Sequence, residues 1–344
     1  ACKKEKKQSE DGFNRKAMLE NYAKSLIRPA YLDLQAKVEL LLTAATNFTQ
    51  NVNLTNLQNL QTAWTEAYVA FQYANAYNFG PAGEEGIRKA LVEEIATFPV
   101  STTKIENAIA NNNANFNDFN RDARGFLAIE YLIFDLNDNN SAILSAFSSS
   151  SNRRDFLIGA INNLKQRIDN VVNAWNGAYY NDFINSDGSS AGSSTALLYN
   201  EFVKSFESIK NYKLGVPLGK RPGQTTTEPQ RVEAYYSGKT LTMLQHHLKA
   251  IEHIWYGKDK NGDDGIGFYE YLQSVEGGNQ LIQSTVTQWN SVLNALNAIP
   301  AMPPISTQIQ TAPVPVENLH TELQKHTRFF KSDMSSLLGI AITY

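Results

Sequence analysis

Apolar residues recur along this chain at three- and four-residue steps, with no sustained alternation at a step of two. Ile161, Leu164, Ile168, Val171, Trp175 and Tyr179 form one such series. Ile282, Val286, Trp289, Leu293 and Leu296 form a second, and Leu319, Leu323, Phe330, Met334 and Leu337 a third. Val38, Leu41, Leu42, Ala45 and Phe48 mark a long first helix. Residues at these steps share one face of a helix, whereas a half-buried strand needs a period of two. The pattern therefore predicts an all-α fold. With 344 residues, 42% of them hydrophobic, the chain is long enough for two cores. Two helical bundles packed side by side fit the segment lengths.

Breakers divide the helices. Asn78-Phe79-Gly80-Pro81-Ala82-Gly83 and Phe98-Pro99 end two of them. Asp135 to Asn140 is a polar turn cluster, followed by a short segment and Ser148-Ser149-Ser150-Ser151. Asn185 to Ser194, Leu214 to Pro229 and Ile299 to Pro315 read as connectors. Asn111-Asn112-Asn113-Ala114-Asn115-Phe116-Asn117 reads as an exposed turn. The expected division is a polar tether over 1–14, one bundle over 15–147 and a second over 148–344.

The net charge of −3 does not suggest a nucleic-acid partner. No apolar run approaches the roughly 18 residues of a membrane span. The single cysteine, Cys2, excludes an intrachain disulfide. It is followed by Lys3, Lys4, Glu5, Lys6 and Lys7, which resembles a bacterial lipoprotein after removal of its signal peptide. Lipidation at Cys2 would hold the chain on a bacterial membrane in the cell envelope, in the periplasm or at the cell surface.

Within Arg124 to Asp135, the run Gly125-Phe126-Leu127-Ala128-Ile129-Glu130 sets a carboxylate in an apolar helical stripe. Helical spacing puts Glu130 beside Phe126, Leu127, Ile133 and Phe134. A carboxylate so placed needs a partner from elsewhere in the fold or is held protonated.

The same run resembles the Gly-x-His-x-x-Glu motif of imelysin-like proteins. These are helical envelope proteins linked to bacterial iron uptake, some of them labelled peptidases. In the motif, His and Glu at i and i+3 can aim two metal ligands at one point; here Leu127 stands at the His position. Trp64, Ala67, Phe79, Gly80 and Pro81 resemble a second family segment, and Phe98-Pro99-Val100 resembles its Trp-Pro-Val turn. Ser237-Gly238-Lys239-Thr240-Leu241, with Tyr256-Gly257, is similar to the family's second half. Lys331, Asp333 and Leu337-Leu338-Gly339 are similar to its closing helix. The match runs through nearly the whole chain. Tyr68 stands where many members have Arg, and Asn75 where they have Glu.

The resemblance implies a binding component in iron- or haem-related uptake, with a site at the domain interface and other iron-uptake proteins as partners. Glu130 would be its retained polar group and Gly125 would permit close helix approach. Glu66, Asn75 and His326 are the further candidates: Glu66 could complete an oxygen-rich site, and His326, which by spacing falls in the stripe with Leu319, Leu323 and Phe330, reads as a satisfied core histidine or as one supplied across the interface to Glu130. Iron or another divalent metal is the implied cofactor. The alternatives are a metal-dependent peptidase and a structural or partner-binding lipoprotein whose site has been lost.

The zincin signature is absent: there is no His-Glu-x-x-His. Only Glu317-x-x-His320 fits the paired Glu-x-x-His of a di-iron bundle. His246, His247 and His253 share one predicted helix without forming a ligand cluster, and read as exposed or interface histidines. Asp259 to Glu270 aligns with a twelve-position calcium loop. Asp259, Asn261 and Asp263 supply oxygen at positions 1, 3 and 5, Glu270 supplies position 12, and Asp264 replaces the usual glycine at position 6. Calcium is the ion this spacing would take; the alternative is an acidic, Gly-rich connector that needs no ion.

Overall fold

The computed structural model describes residues 12–344, so Cys2 and most of the expected tether lie outside the described residues. The described chain is helical, and its one β-bridge is an isolated Glu85–Arg88 pair. α1 (Arg15–Asn21) passes through a π-helical stretch, Tyr22–Ile27, into α2 (Arg28–Gln50). After a turn at Asn51 the chain returns as α3 (Leu54–Ala74), capped by the Asn53 side chain accepting from Asn56 N. Short helices α4 (Leu91–Ile95) and α5 (Thr102–Asn111) follow, then α6 (Gly125–Ile133), α7 (Asn140–Ser149) and the long α8 (Ser151–Asn176). The Asn-rich run begins where Asn112 closes α5 in the left-handed conformation, and its residues 111–115 are exposed.

α9 (Tyr179–Asn185) leads to α10 (Ser194–Ser208), which continues as a second π stretch, Ile209–Gly215. A long connector reaches α11 (Thr240–Tyr256), ended by Gly257 at φ +75°. Then come α12 (Phe268–Gln273), α13 (Gly278–Asn297), α14 (Ile305–Thr311) and α15 (Val314–Arg328). A third π stretch, Phe329–Met334, leads into α16 (Ser335–Leu338).

The stripes read from the sequence are the buried faces. Val38, Leu41, Ala45 and Phe48 of α2 pack with α3, and Ile161, Leu164, Ile168 and Trp175 of α8 pack along the same helix. α13 and α15 pair in the second bundle, and α11 lies on both α10 and α3. The expected boundary near Ser148 is therefore displaced. α8 follows that serine cluster yet lies against α2 and α6, because its apolar stripe needs their faces. The first bundle runs on through α8, and α9 with the Asn185–Ser194 loop makes the crossing. α1 packs on α9 and α10.

Candidate functional site

The long connector returns to the first bundle at Glu233, and there a polar network is sealed between the bundles. Glu233 is 2% exposed and pairs with Lys213 at 2.8 Å. The Tyr68 hydroxyl donates to its other oxygen at 2.8 Å, and Lys213 also donates to Gln72 Oε1 at 2.7 Å. Four segments meet here: α3 brings Tyr68 and Gln72, the second π stretch brings Lys213, the connector brings Glu233, and α11 brings Thr240, which donates to the Glu233 carbonyl. The turn that aims Glu233 is strained, since buried Ala234 holds φ +55°, in the left-handed region that favours glycine. A π turn inserts an extra residue and re-aims its side chains, which sets Lys213 inward although it lies beyond the end of regular α10.

Glu130, 1% exposed, approaches the network from α6. Its Oε1 accepts from the Ser237 amide at 2.8 Å and the Ser237 hydroxyl at 2.7 Å. Burial pushes its carboxyl up to about 7, against the pull of the Ser237 donors and with a further push from Glu233. Burial pushes Lys213 the other way, lowering its ammonium while Glu233 opposes the change. One carboxylate against one ammonium balances, so the network is neutral when Glu130 carries its proton. Above the folded value near 7 the ionised form costs stability, and below the unfolded value of 4.5 that cost is absent. Glu130→Gln keeps the acceptor for Ser237 and removes the charge. It is expected to stabilise the fold by about 3 kcal/mol at pH 8, the gain fading between pH 7 and 4.5. Denaturant unfolding across that pH range checks this.

Gly125 opens α6 at φ +78°, and a Cβ there would sit 2.4 Å from the Ile95 carbonyl oxygen. The close approach is between the α6 start and the α4 end. Gly125→Ala combines left-handed strain with a backbone clash and is expected to cost about 2–4 kcal/mol, read as a lowered unfolding midpoint.

Asn75 is buried and accepts from the Ser205 hydroxyl at 2.8 Å; Ser205 in turn meets His247 Nε2 at 2.7 Å. Since the Ser205 proton is given to Asn75, His247 Nε2 is the donor of that pair. His247 Nδ1 is buried with no hydrogen-bond partner, and burial holds the ring well below its ordinary value. Serine and histidine at this distance look like a nucleophile and base, but the serine proton points away from the ring and no acid orients Nδ1.

Three expectations fail. Glu66 does not join Glu130: its side chain is 50% exposed and pairs with Lys37 at 2.9 Å. His326 does not reach Glu130 either. Its ring is enclosed by Phe206, Trp289, Phe329 and Phe330, neither nitrogen has a partner, and burial lowers it to about 3. The calcium-type loop is built otherwise. Asp259 Oδ1 accepts from the Asn261 and Asp263 amides, and Glu270 Oε2 caps α12 by accepting from Gly267 N at 2.7 Å. The helix start takes the twelfth-position carboxylate that a calcium ion would need. Among the described residues no three His, Cys, Asp or Glu side chains converge as a metal site. The acidic group near Glu130, Glu233, is engaged by Lys213 and Tyr68, and Leu127 stands at the motif His position, so the donor set does not fit a bare ion of the family type.

Two cavities open on the network. A crevice of about 20 Å³ is lined by Leu127, Glu130 and Tyr236. A larger one, about 190 Å³, is lined by Asn75, Lys213, Glu233, Phe98 and exposed Tyr212. Asn75 and Glu130 thus lie around one centre with Tyr68 and with Ser237 of the second-half motif, while Lys213, Glu233, Gln72 and Ser205 are additions that the motifs did not reveal.

This architecture defines a class: an all-α protein of two bundles that seals a mixed-charge network between them. The chain belongs to the imelysin family, whose model matches residues 27–327. It is 24% identical to iron-regulated protein A of Synechococcus elongatus over 302 residues, 85% of this chain and 77% of that protein. Among solved structures, an iron-regulated protein A precursor from Parabacteroides distasonis superposes with a TM-score of 0.75 at 15% identity, covering 94% of this chain and 95% of that one. An imelysin-like protein from Psychrobacter arcticum gives 0.74 at 18% identity, with 96% and 97% covered. Both share the all-α fold.

Proposed function

We propose that this chain is a binding component in iron-related uptake, anchored at the cell envelope through Cys2, and not a peptidase. The observation that carries the reading is convergence: Tyr68, Asn75 and Glu130, three positions matched to the family motifs, gather around the Lys213–Glu233 pair beside a cavity. The iron connection rests on the name of the Synechococcus relative. A cavity of about 190 Å³ is smaller than the roughly 300–1,000 Å³ of a drug-sized pocket. With no chelating set for a bare ion, the site suits iron delivered as a small carboxylate complex, its anionic oxygens meeting Lys213. Against the peptidase reading stands the Ser205–His247 geometry, in which neither group is set to activate the other.

The test is calorimetric titration of the purified chain with ferric citrate, citrate alone and haemin. Near-stoichiometric ferric citrate binding is expected, weakened at least tenfold by Tyr212→Ser at the cavity mouth, with the variant folded. Absence of ferric citrate binding, or equal affinity in both proteins, overturns the proposal.

A further inference from the structure

A third cavity, about 230 Å³, lies away from the Glu130 network, where the first π stretch and α2 face α3 and α11. Leu26, Pro29, Ala30 and Ala250 give it an apolar wall. Tyr73 stands at its side, with its hydroxyl engaged to His246 Nδ1 at 2.9 Å. His253 lines it from the last turn of α11. Its ring makes no hydrogen bond among the described residues and lies 6.3 Å from the Tyr73 ring.

The charged groups of the cavity do not pair with one another. The Asp33 side chain on α2 makes no ion pair or hydrogen bond among the described residues; its helical neighbour Lys37 is held by Glu66 instead. Lys258 and Lys260 border the same space from the opposite element, and neither lies within 4.0 Å of the Asp33 carboxylate. Lys258 rests over the Tyr256 ring at 4.2 Å, and Lys260 has no acidic partner. Their positions are fixed by the loop first read as a calcium site. Gly257 turns the chain out of α11, Asp259 Oδ1 gathers two backbone amides, and Asn21 donates to the Gly257 and Ile266 carbonyls at 2.9 Å each. The loop's acidic residues organise its backbone and thereby set two ammonium groups at the cavity rim.

We propose that this cavity is a ligand site for a zwitterion with an apolar body, of the size of a short peptide. The ligand's ammonium meets Asp33, its carboxylate meets Lys258 and Lys260, and its side chain lies on the Leu26–Pro29–Ala250 wall with His253 offering a hydrogen bond. A ligand of one charge would leave either the carboxylate or the lysines unmatched, and an uncharged one would leave both.

The probes are alanyl-phenylalanine, its N-acetyl derivative and its C-terminal amide, titrated into the whole chain by calorimetry. The free dipeptide is expected to bind, and each capped form at least fivefold more weakly. Asp33→Asn abolishes the preference over the N-acetyl form, and the double variant Lys258→Gln with Lys260→Gln abolishes the preference over the amide. Ala30→Trp, which fills the cavity, removes binding. All these positions are partly or wholly exposed, and an unchanged unfolding midpoint shows that each variant folds. The proposal is overturned if the dipeptide does not bind, if the capped forms bind equally well, or if binding survives Ala30→Trp.

Discussion

Lys213→Met is expected to cost about 3–5 kcal/mol of folding stability, because it leaves the Glu233 carboxylate buried without its cation. Both side chains are at most 3% exposed, so water cannot take the place of the partner. Tyr68 would still donate to Glu233, which offsets only part of the loss. Adding Glu233→Gln to Lys213→Met removes the stranded charge and keeps an acceptor for Tyr68, so the double variant is expected to regain more than half of the loss. Urea unfolding of wild type, both single variants and the double variant gives the coupling directly. A Lys213→Met cost below about 1 kcal/mol would mean that the pair is hydrated in solution.

The second large effect is on acid stability. His326 is neutral in the folded chain down to about pH 3, because burial among four aromatic rings disfavours the imidazolium. In the unfolded chain it takes a proton near pH 6.5. Its folded value is depressed, so the unfolded state binds the extra proton and stability falls as pH drops from 6.5 towards 3. Each pH unit in that window costs about 1.4 kcal/mol. Glu130 and Glu201, both pushed up to about 7 by burial, act in the opposite sense between pH 7 and 4.5. The bare pH profile therefore mixes the two effects, and comparison with His326→Phe isolates the histidine. The variant also removes two orphaned nitrogens. Relative to wild type it is expected to gain about 3 kcal/mol between pH 7 and pH 4, measured as the difference in unfolding free energy. A constant difference across that range would show that the ring is solvated.

The helices and their buried faces were legible because a 3.6-residue period is a local property of the chain. Glu130 was legible for the same reason: a carboxylate on an apolar stripe is an anomaly that sequence displays. Lys213 carried the same signal, at helical spacing after Phe202, Phe206 and Ile209, but it adjoins the connector read from Leu214, and the π turn that carries α10 on to Gly215 is not visible in sequence. Glu233 offered no signal. It sits in a Pro- and Gly-punctuated connector, and its burial depends on tertiary return to the first bundle. His326 misled in the opposite direction. Its place in the stripe was read correctly, but periodicity gives a face and not the neighbour across it, and that neighbour is aromatic. The calcium-like spacing misled because a capping glutamate at a helix start occupies the position of a twelfth ligand. The bundle boundary was misplaced because α8 is long enough to belong to either side until its packing partner is known.

The Lys213–Glu233–Glu130 network and its cavity are the proposed working site. The most direct test is amide hydrogen exchange with and without saturating ferric citrate. The account predicts new protection confined to α6, to residues 209–216 and to residues 232–240, with α13 and α15 unchanged. Protection elsewhere, or none at saturating ferric citrate, would contradict it.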